Sequence, residues 1–102
     1  MTSLLQKIEA KSARVVVIGI GYVGLPLVAE FARAGFRTTG LDRDPEKVRL
    51  LNAGESYIAD VPTSDLAPHL KSRMLDASTD PSILREADAV VVCVPTPLNK
   101  TK

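Results

Sequence analysis

The run Gly19-Ile20-Gly21-Tyr22-Val23-Gly24 follows directly on the apolar stretch Val15-Val16-Val17-Ile18 and leads into a segment of helical composition. A G-x-G-x-x-G between a strand and a helix admits very few architectures, because each glycine answers a separate steric demand. Gly19 lets the backbone leave the strand through a turn that a Cβ would obstruct. Gly21 leaves room for a ligand's phosphates to approach the backbone, and Gly24 lets the helix lie close on the strand. The N–H groups of Tyr22 and Val23, unpaired at a helix start, point at the anion together with the helix dipole. A phosphate-bearing ligand on an α/β scaffold is the expectation.

The next β-rich run, Arg37-Thr38-Thr39-Gly40-Leu41, ends in Asp42. A carboxylate there can accept two hydroxyl hydrogen bonds from an adenine ribose and repels a 2′-phosphate, which favours NAD over NADP. Arg43 pulls the other way, since a guanidinium beside the ribose could pair with a 2′-phosphate; the balance is read as NAD. A bare strand-to-helix turn is the plainer explanation of the glycines, and a solvated turn carboxylate that of Asp42. Strand, helix and acidic residue in register favour the dinucleotide.

Short β-rich runs then alternate with helical stretches. Residues 3–12 read as an amphipathic helical extension preceding a domain that begins at Arg14. Strands are expected near 14–18, 37–41, 74–78 and 90–94. Helices are expected near 22–34, 45–52 and 63–72, with a short one after Pro81. Gly35 and Gly54 stop the first two, Asp44-Pro45 and Asp80-Pro81 are cap-plus-proline signals, and Thr63 or Ser64 caps the third. The unbroken apolar run Val90-Val91-Val92-Cys93-Val94 expects cover on both faces, as in a parallel sheet. Right-handed crossovers turn this order into a Rossmann-type doubly wound parallel sheet in spatial order 3-2-1-4, stopping after about four strands. An apolar fourth strand left at the edge is prone to association, so the chain is expected to be the front piece of something longer or to pair that edge with a partner.

Composition removes several function classes. At 102 residues, 45% apolar and 25% charged, the chain suits one small globular domain. A formal net charge of +1, with two tyrosines, two phenylalanines and no tryptophan, gives no case for nucleic acid or an anionic membrane. The single cysteine excludes an internal disulfide and a cysteine-rich metal site, so a reducing, cytoplasmic setting is expected. The N-terminus has no continuous apolar stretch of signal-peptide type, and no run is long enough to span a bilayer.

Gly19 through Pro26 (GIGYVGLP), Asp42-Arg43-Asp44, Lys47-Val48, Leu51-Asn52-Ala53-Gly54 and Cys93-Val94-Pro95-Thr96-Pro97 together resemble the N-terminal domain of the UDP-glucose/GDP-mannose dehydrogenase family. The likeness runs from about Arg14 onward. Gly54-Glu55-Ser56-Tyr57-Ile58 with Asp60-Val61 is similar to the branch that oxidises UDP-N-acetylhexosamines. The resemblance implies NAD-dependent oxidation of a nucleotide-sugar C6 alcohol to a carboxylate, using two NAD through a cysteine-bound thiohemiacetal and thioester. It implies backbone contacts from Tyr22 and Val23 to the pyrophosphate, Asp42 and Lys47 at the ribose, and Pro95 and Thr96 lining the cofactor cleft. It also implies a homo-oligomeric full-length protein that takes its nucleotide sugar through a further domain.

The family's nucleophilic cysteine, catalytic lysine and substrate domain correspond to positions beyond Lys102, so the chain alone is expected to be inactive. Cys93 lies in an apolar strand, where a thiol is packed and inert. His69 lacks a partner at catalytic or metal-ligand spacing and reads as a surface residue. Asp60, Asp65, Asp76, Asp80 and Asp88 fall in loops and caps. A nucleotide-sensing module without redox chemistry fits the glycine loop and Asp42 equally well, and another NAD-dependent dehydrogenase shares the fold. A truncated product without function is a further alternative.

Overall fold

The computed structural model describes Gln6, residues 12–58 and residues 61–93. Apart from Gln6 and Ser12, the expected N-terminal helix lies outside the described residues, as do Val94, Pro95 and Thr96. Four parallel strands, β1 (Arg14–Ile18), β2 (Arg37–Leu41), β3 (Leu75–Ser78) and β4 (Ala89–Val92), form one sheet in the order β3-β2-β1-β4. The register sets Val15 beside Thr38 and Ala89, and Ile18 beside Leu41 and Val92. β1 is therefore central, and the strand order reverses between β1 and β4. Open α/β sheets bind ligands at such a reversal, beyond the carboxyl ends of the strands.

Helix α1 (Gly24–Arg33) buries Leu25, Val28, Ala29 and Ala32, the spacing that lines one face of a helix. These residues join Val15 and Val17 of β1, Leu51 and Leu75 in one apolar cluster. The helix ends where the sequence predicts. Gly35 takes φ +100°, and its N–H bonds the Ala32 carbonyl while the Phe36 N–H bonds that of Phe31, both at 3.0 Å. This double closure places Phe36 edge-on against Phe31, with ring centroids 6.5 Å apart.

Helix α2 (Pro45–Asn52) opens with Asp44 accepting the Glu46 N–H at 2.9 Å, and Pro45 occupies its first turn. Leu51 is fully buried and Val48 packs against the cluster. The Asn52 amide meets β3 twice, donating to the Ala77 carbonyl at 3.0 Å and accepting its N–H at 2.8 Å.

Five expectations change. Regular helix α1 starts at Gly24, not near 22: the Leu25 N–H bonds the Gly21 carbonyl, but Pro26 has no N–H to continue the series at Tyr22, so Tyr22 and Val23 stay in the turn. The stretch 63–72 divides into a 3-10 turn (Thr63–Asp65) and helix α3 (Ala67–Lys71), and neither Thr63 nor Ser64 caps it. The Thr63 hydroxyl instead accepts the Ser56 N–H at 3.1 Å, a tertiary bond that outcompetes the local cap. The fourth strand is packed on one side only: Val91 meets the cluster, while Val90 and Val92 are 46% and 62% exposed. An apolar run signals two-sided cover only where elements lie on both faces, and among the described residues β4 pairs with β1 alone. The expected helix after Pro81 is a 3-10 helix (Pro81–Glu86), with Asp80 accepting the Ser82 N–H at 2.9 Å. His69, read as a surface residue, is half-buried.

Leu51→Ala is expected to lower unfolding free energy by about 2–5 kcal/mol, the range for truncating a fully buried leucine. Urea denaturation followed by circular dichroism measures it; a loss below about 1 kcal/mol would contradict the packing of α2 on the sheet.

Candidate nucleotide-binding site

The glycine loop leaves β1 at Gly19, whose φ of +91° is open to glycine and strained for other residues. The Gly19 N–H extends the sheet by bonding the Leu41 carbonyl at 2.7 Å. Five residues on, α1 returns so closely that a Cβ on Gly24 would stand 1.7 Å from the Gly19 carbonyl oxygen. The outer glycines thus fold the loop back on itself. Between them the Ile20 side chain is fully buried, and Tyr22 and Val23 are 79% and 64% exposed. The amides of Tyr22 and Val23 precede the Leu25–Gly21 bond that begins the helix, the position in which backbone N–H groups lack an intrahelical partner.

Gly21 differs from its neighbours in the motif. Its φ lies outside the left-handed region, and a Cβ there would meet the Lys47 Nζ at 3.6 Å, an ordinary contact. Lys47 reaches this point from α2, so its ammonium stands beside the second glycine.

Asp42, at the carboxyl end of β2, is half-buried and already engaged. One carboxylate oxygen accepts the Ile20 N–H at 2.9 Å and the other the Asp44 N–H at 2.9 Å. A carboxylate offers about four acceptor positions, so each oxygen retains capacity for a further hydroxyl donor. Arg43 follows it and is exposed. Gly19, Gly21, Gly24, Asp42 and Lys47 are thereby brought together, while Pro95 and Thr96 lie outside the described residues.

Two residues join the site that the motif does not announce. Tyr57, in the loop after α2, donates its hydroxyl to the Ile20 carbonyl. Burial, then the nearby Asp42 and Asp44 carboxylates, push its phenol well above the usual tyrosine range, so it stays protonated and able to donate. No local spacing marks it, because 37 residues separate the pair. Gly40, inside β2, lies beneath Ile20: a Cβ there would come within 2.5 Å of the Ile20 Cγ2. A glycine within a strand is itself a sign of close approach, and that signal was available in the sequence.

Among the described residues no group of His, Cys, Asp or Glu is placed to hold a metal ion. None of the described helices is long and apolar enough to cross a membrane. Cys93 is half-buried and packs against the apolar cluster.

Residues 13–102 match the UDP-glucose/GDP-mannose dehydrogenase family, NAD binding domain. The chain is similar to UDP-N-acetyl-D-mannosamine dehydrogenase of Escherichia coli K12, 40% identical over 89 residues, which covers 83% of this chain and 20% of the relative. The enzyme of the same name from Campylobacter jejuni is 38% identical over 86 residues, covering 82% and 20%. Among solved structures, GDP-mannose dehydrogenase from Pseudomonas aeruginosa, determined as a ternary complex, superposes with a TM-score of 0.80 at 28% identity, covering 85% of this chain and 20% of that one. The chain spans about a fifth of the length of the curated relatives it matches.

Gly24→Ala is expected to cost at least about 3 kcal/mol, because the atoms in conflict are backbone and cannot rotate away. Chemical denaturation of the variant measures this, and near-parent stability would show that α1 does not ride on β1 as described.

Proposed function

The chain belongs to the UDP-glucose/GDP-mannose dehydrogenase family and is its NAD-binding domain, and on that premise we propose that it holds the adenosine and pyrophosphate of NAD while a nucleotide-sugar C6 alcohol is oxidised to a carboxylate. The observation that carries this reading is at Gly21. Neither backbone conformation nor internal packing asks for glycine there. A pyrophosphate laid against the turn does, since a Cβ would stand between it and the backbone amides.

In this proposal Gly19 and Gly24 shape the turn, Gly21 admits the phosphates, and the Tyr22 and Val23 amides bind them at the start of α1. The Lys47 ammonium beside Gly21 adds positive charge where the phosphates and the neighbouring ribose lie. Asp42 uses its remaining acceptor positions for the ribose hydroxyls and disfavours a 2′-phosphate. Arg43 borders the same ribose. For Pro95 and Thr96, outside the described residues, a cofactor contact is carried over from the family's motif alone.

NAD when bound supplies the hydride acceptor; this chain's part is to orient it. The names of the relatives support a UDP-N-acetylhexosamine as the sugar substrate, with UDP-glucose the next choice. The nucleophile that carries the sugar belongs to another part of a longer, cytoplasmic and homo-oligomeric protein. Cys93, packed against the apolar cluster, is not that group.

Gly21→Ala is expected to leave unfolding free energy within about 1 kcal/mol of the parent, while weakening NAD binding at least about tenfold. Denaturation and calorimetric titration measure the two halves, and unchanged NAD affinity would remove the assigned phosphate contact. The 102-residue chain incubated with NAD and UDP-N-acetyl-D-mannosamine, UDP-N-acetylglucosamine or UDP-glucose should yield no NADH by absorbance. Steady turnover would mean that it carries its own chemistry.

A further inference from the structure

Ile20 has an unusual position in the glycine loop: side chains from two remote segments hold the peptide groups on either side of it. Its N–H donates to Asp42 at 2.9 Å, and its carbonyl accepts from the Tyr57 hydroxyl. Because a peptide unit is planar and trans, fixing one polar group fixes the opposite direction for the other. The Asp42 bond sets the Gly19–Ile20 plane, and the Tyr57 bond sets the Ile20–Gly21 plane. The latter includes the Gly21 N–H, at the glycine nearest Lys47.

From this we infer that Tyr57 is a positioning residue of the phosphate-binding turn: its hydroxyl holds the Ile20 carbonyl and so orients the Ile20–Gly21 peptide, with the Gly21 N–H on the opposite side. The inference rests on the reading that this turn receives the pyrophosphate. The local structure suits a fixed donor. The Tyr57 ring packs against the apolar cluster, and the residues beside it are braced. The Ser56 N–H donates to Thr63 Oγ1 at 3.1 Å, and the Ser56 Oγ lies within hydrogen-bond reach of both the Ile58 carbonyl and its N–H, at 2.9 and 3.2 Å. The raised phenol value keeps the proton in place through neutral pH. A phenylalanine would fill the same space without the donor, leaving the peptide plane free to turn and a partly buried carbonyl unpaired.

The test titrates the ¹⁵N-labelled chain and its Tyr57→Phe variant with NAD, ADP and adenosine, following amide resonances. In the parent, ADP should shift the amides of Gly21, Tyr22 and Val23. In Tyr57→Phe the core amides of Val16 and Leu51 should stay in place, the free-state Gly21 amide should move, and affinity for NAD and ADP should fall about three- to tenfold, as for loss of one ordinary hydrogen bond. Adenosine, which carries no phosphate, should bind as before. Equal ADP affinity in parent and variant overturns the inference, and so does an equal loss for ADP and adenosine, which would mark Tyr57 as packing alone. If Tyr57→Phe does not fold, a fluorinated tyrosine at position 57 keeps the ring and lowers its phenol pKa. ADP affinity should then fall as pH rises through that titration, and a flat profile overturns the inference. Parent amides that ignore ADP altogether would instead sink the phosphate reading, and the inference with it.

Discussion

The carbonyl oxygen of Gly19 lies where a side chain on Gly24 would have to start, 1.7 Å from an ideal Cβ. This contact between two backbones sets the height of α1 above β1, and the rest of the domain follows from that height. With the helix so close, Leu25, Val28 and Ala32 reach Val15 and Val17 and close the cluster over the centre of the sheet. The same approach directs the start of the helix, with the Tyr22 and Val23 amides, past the end of β1 toward the carboxyl edge of the sheet. A larger residue at either end of the loop would separate helix from strand and move those amides with it.

A second layer of constraint lies beneath the loop. Ile20 is fully buried against Gly40 of β2, and its peptide groups are taken by Asp42 and Tyr57. The loop is therefore anchored by its central residue as well as its glycines. Asp42 braces the turn through the Ile20 N–H, and in the proposed function it has a second role, keeping acceptor positions for a ribose. The ribose rule in the sequence announces only the second. Both roles ask for a carboxylate at the end of β2, which is why one residue serves them.

Where local chemistry decided an element, the sequence was a sufficient guide. Asp44-Pro45 and Asp80-Pro81 cap their helices through bonds made two residues away, and Gly35 closes α1 with its own neighbours. Thr63 shows where that guidance stops. Its hydroxyl had a local cap to make and took the Ser56 N–H instead, because the loop carrying Tyr57 folds back onto it. The apolar run of β4 was legible as a strand, but its cover was not. Exposure of Val90 and Val92 depends on what lies against that face, which composition does not encode.

The sequence by itself determined the strand-turn-helix at Gly19–Gly24, the acidic residue at the end of β2, the helix stops and, through the handedness of crossovers, the order β3-β2-β1-β4. These rest on short-range sterics and hydrogen bonds whose partners are neighbours in the chain. Only the tertiary structure decided that Lys47 stands beside Gly21, that Gly40 makes room for Ile20, and that Tyr57 closes over the loop. Each of these joins residues more than 15 positions apart in the chain. Such contacts exist only once the sheet and helices have packed; Gly40 within β2 signals a close approach in the sequence, but not which residue makes it.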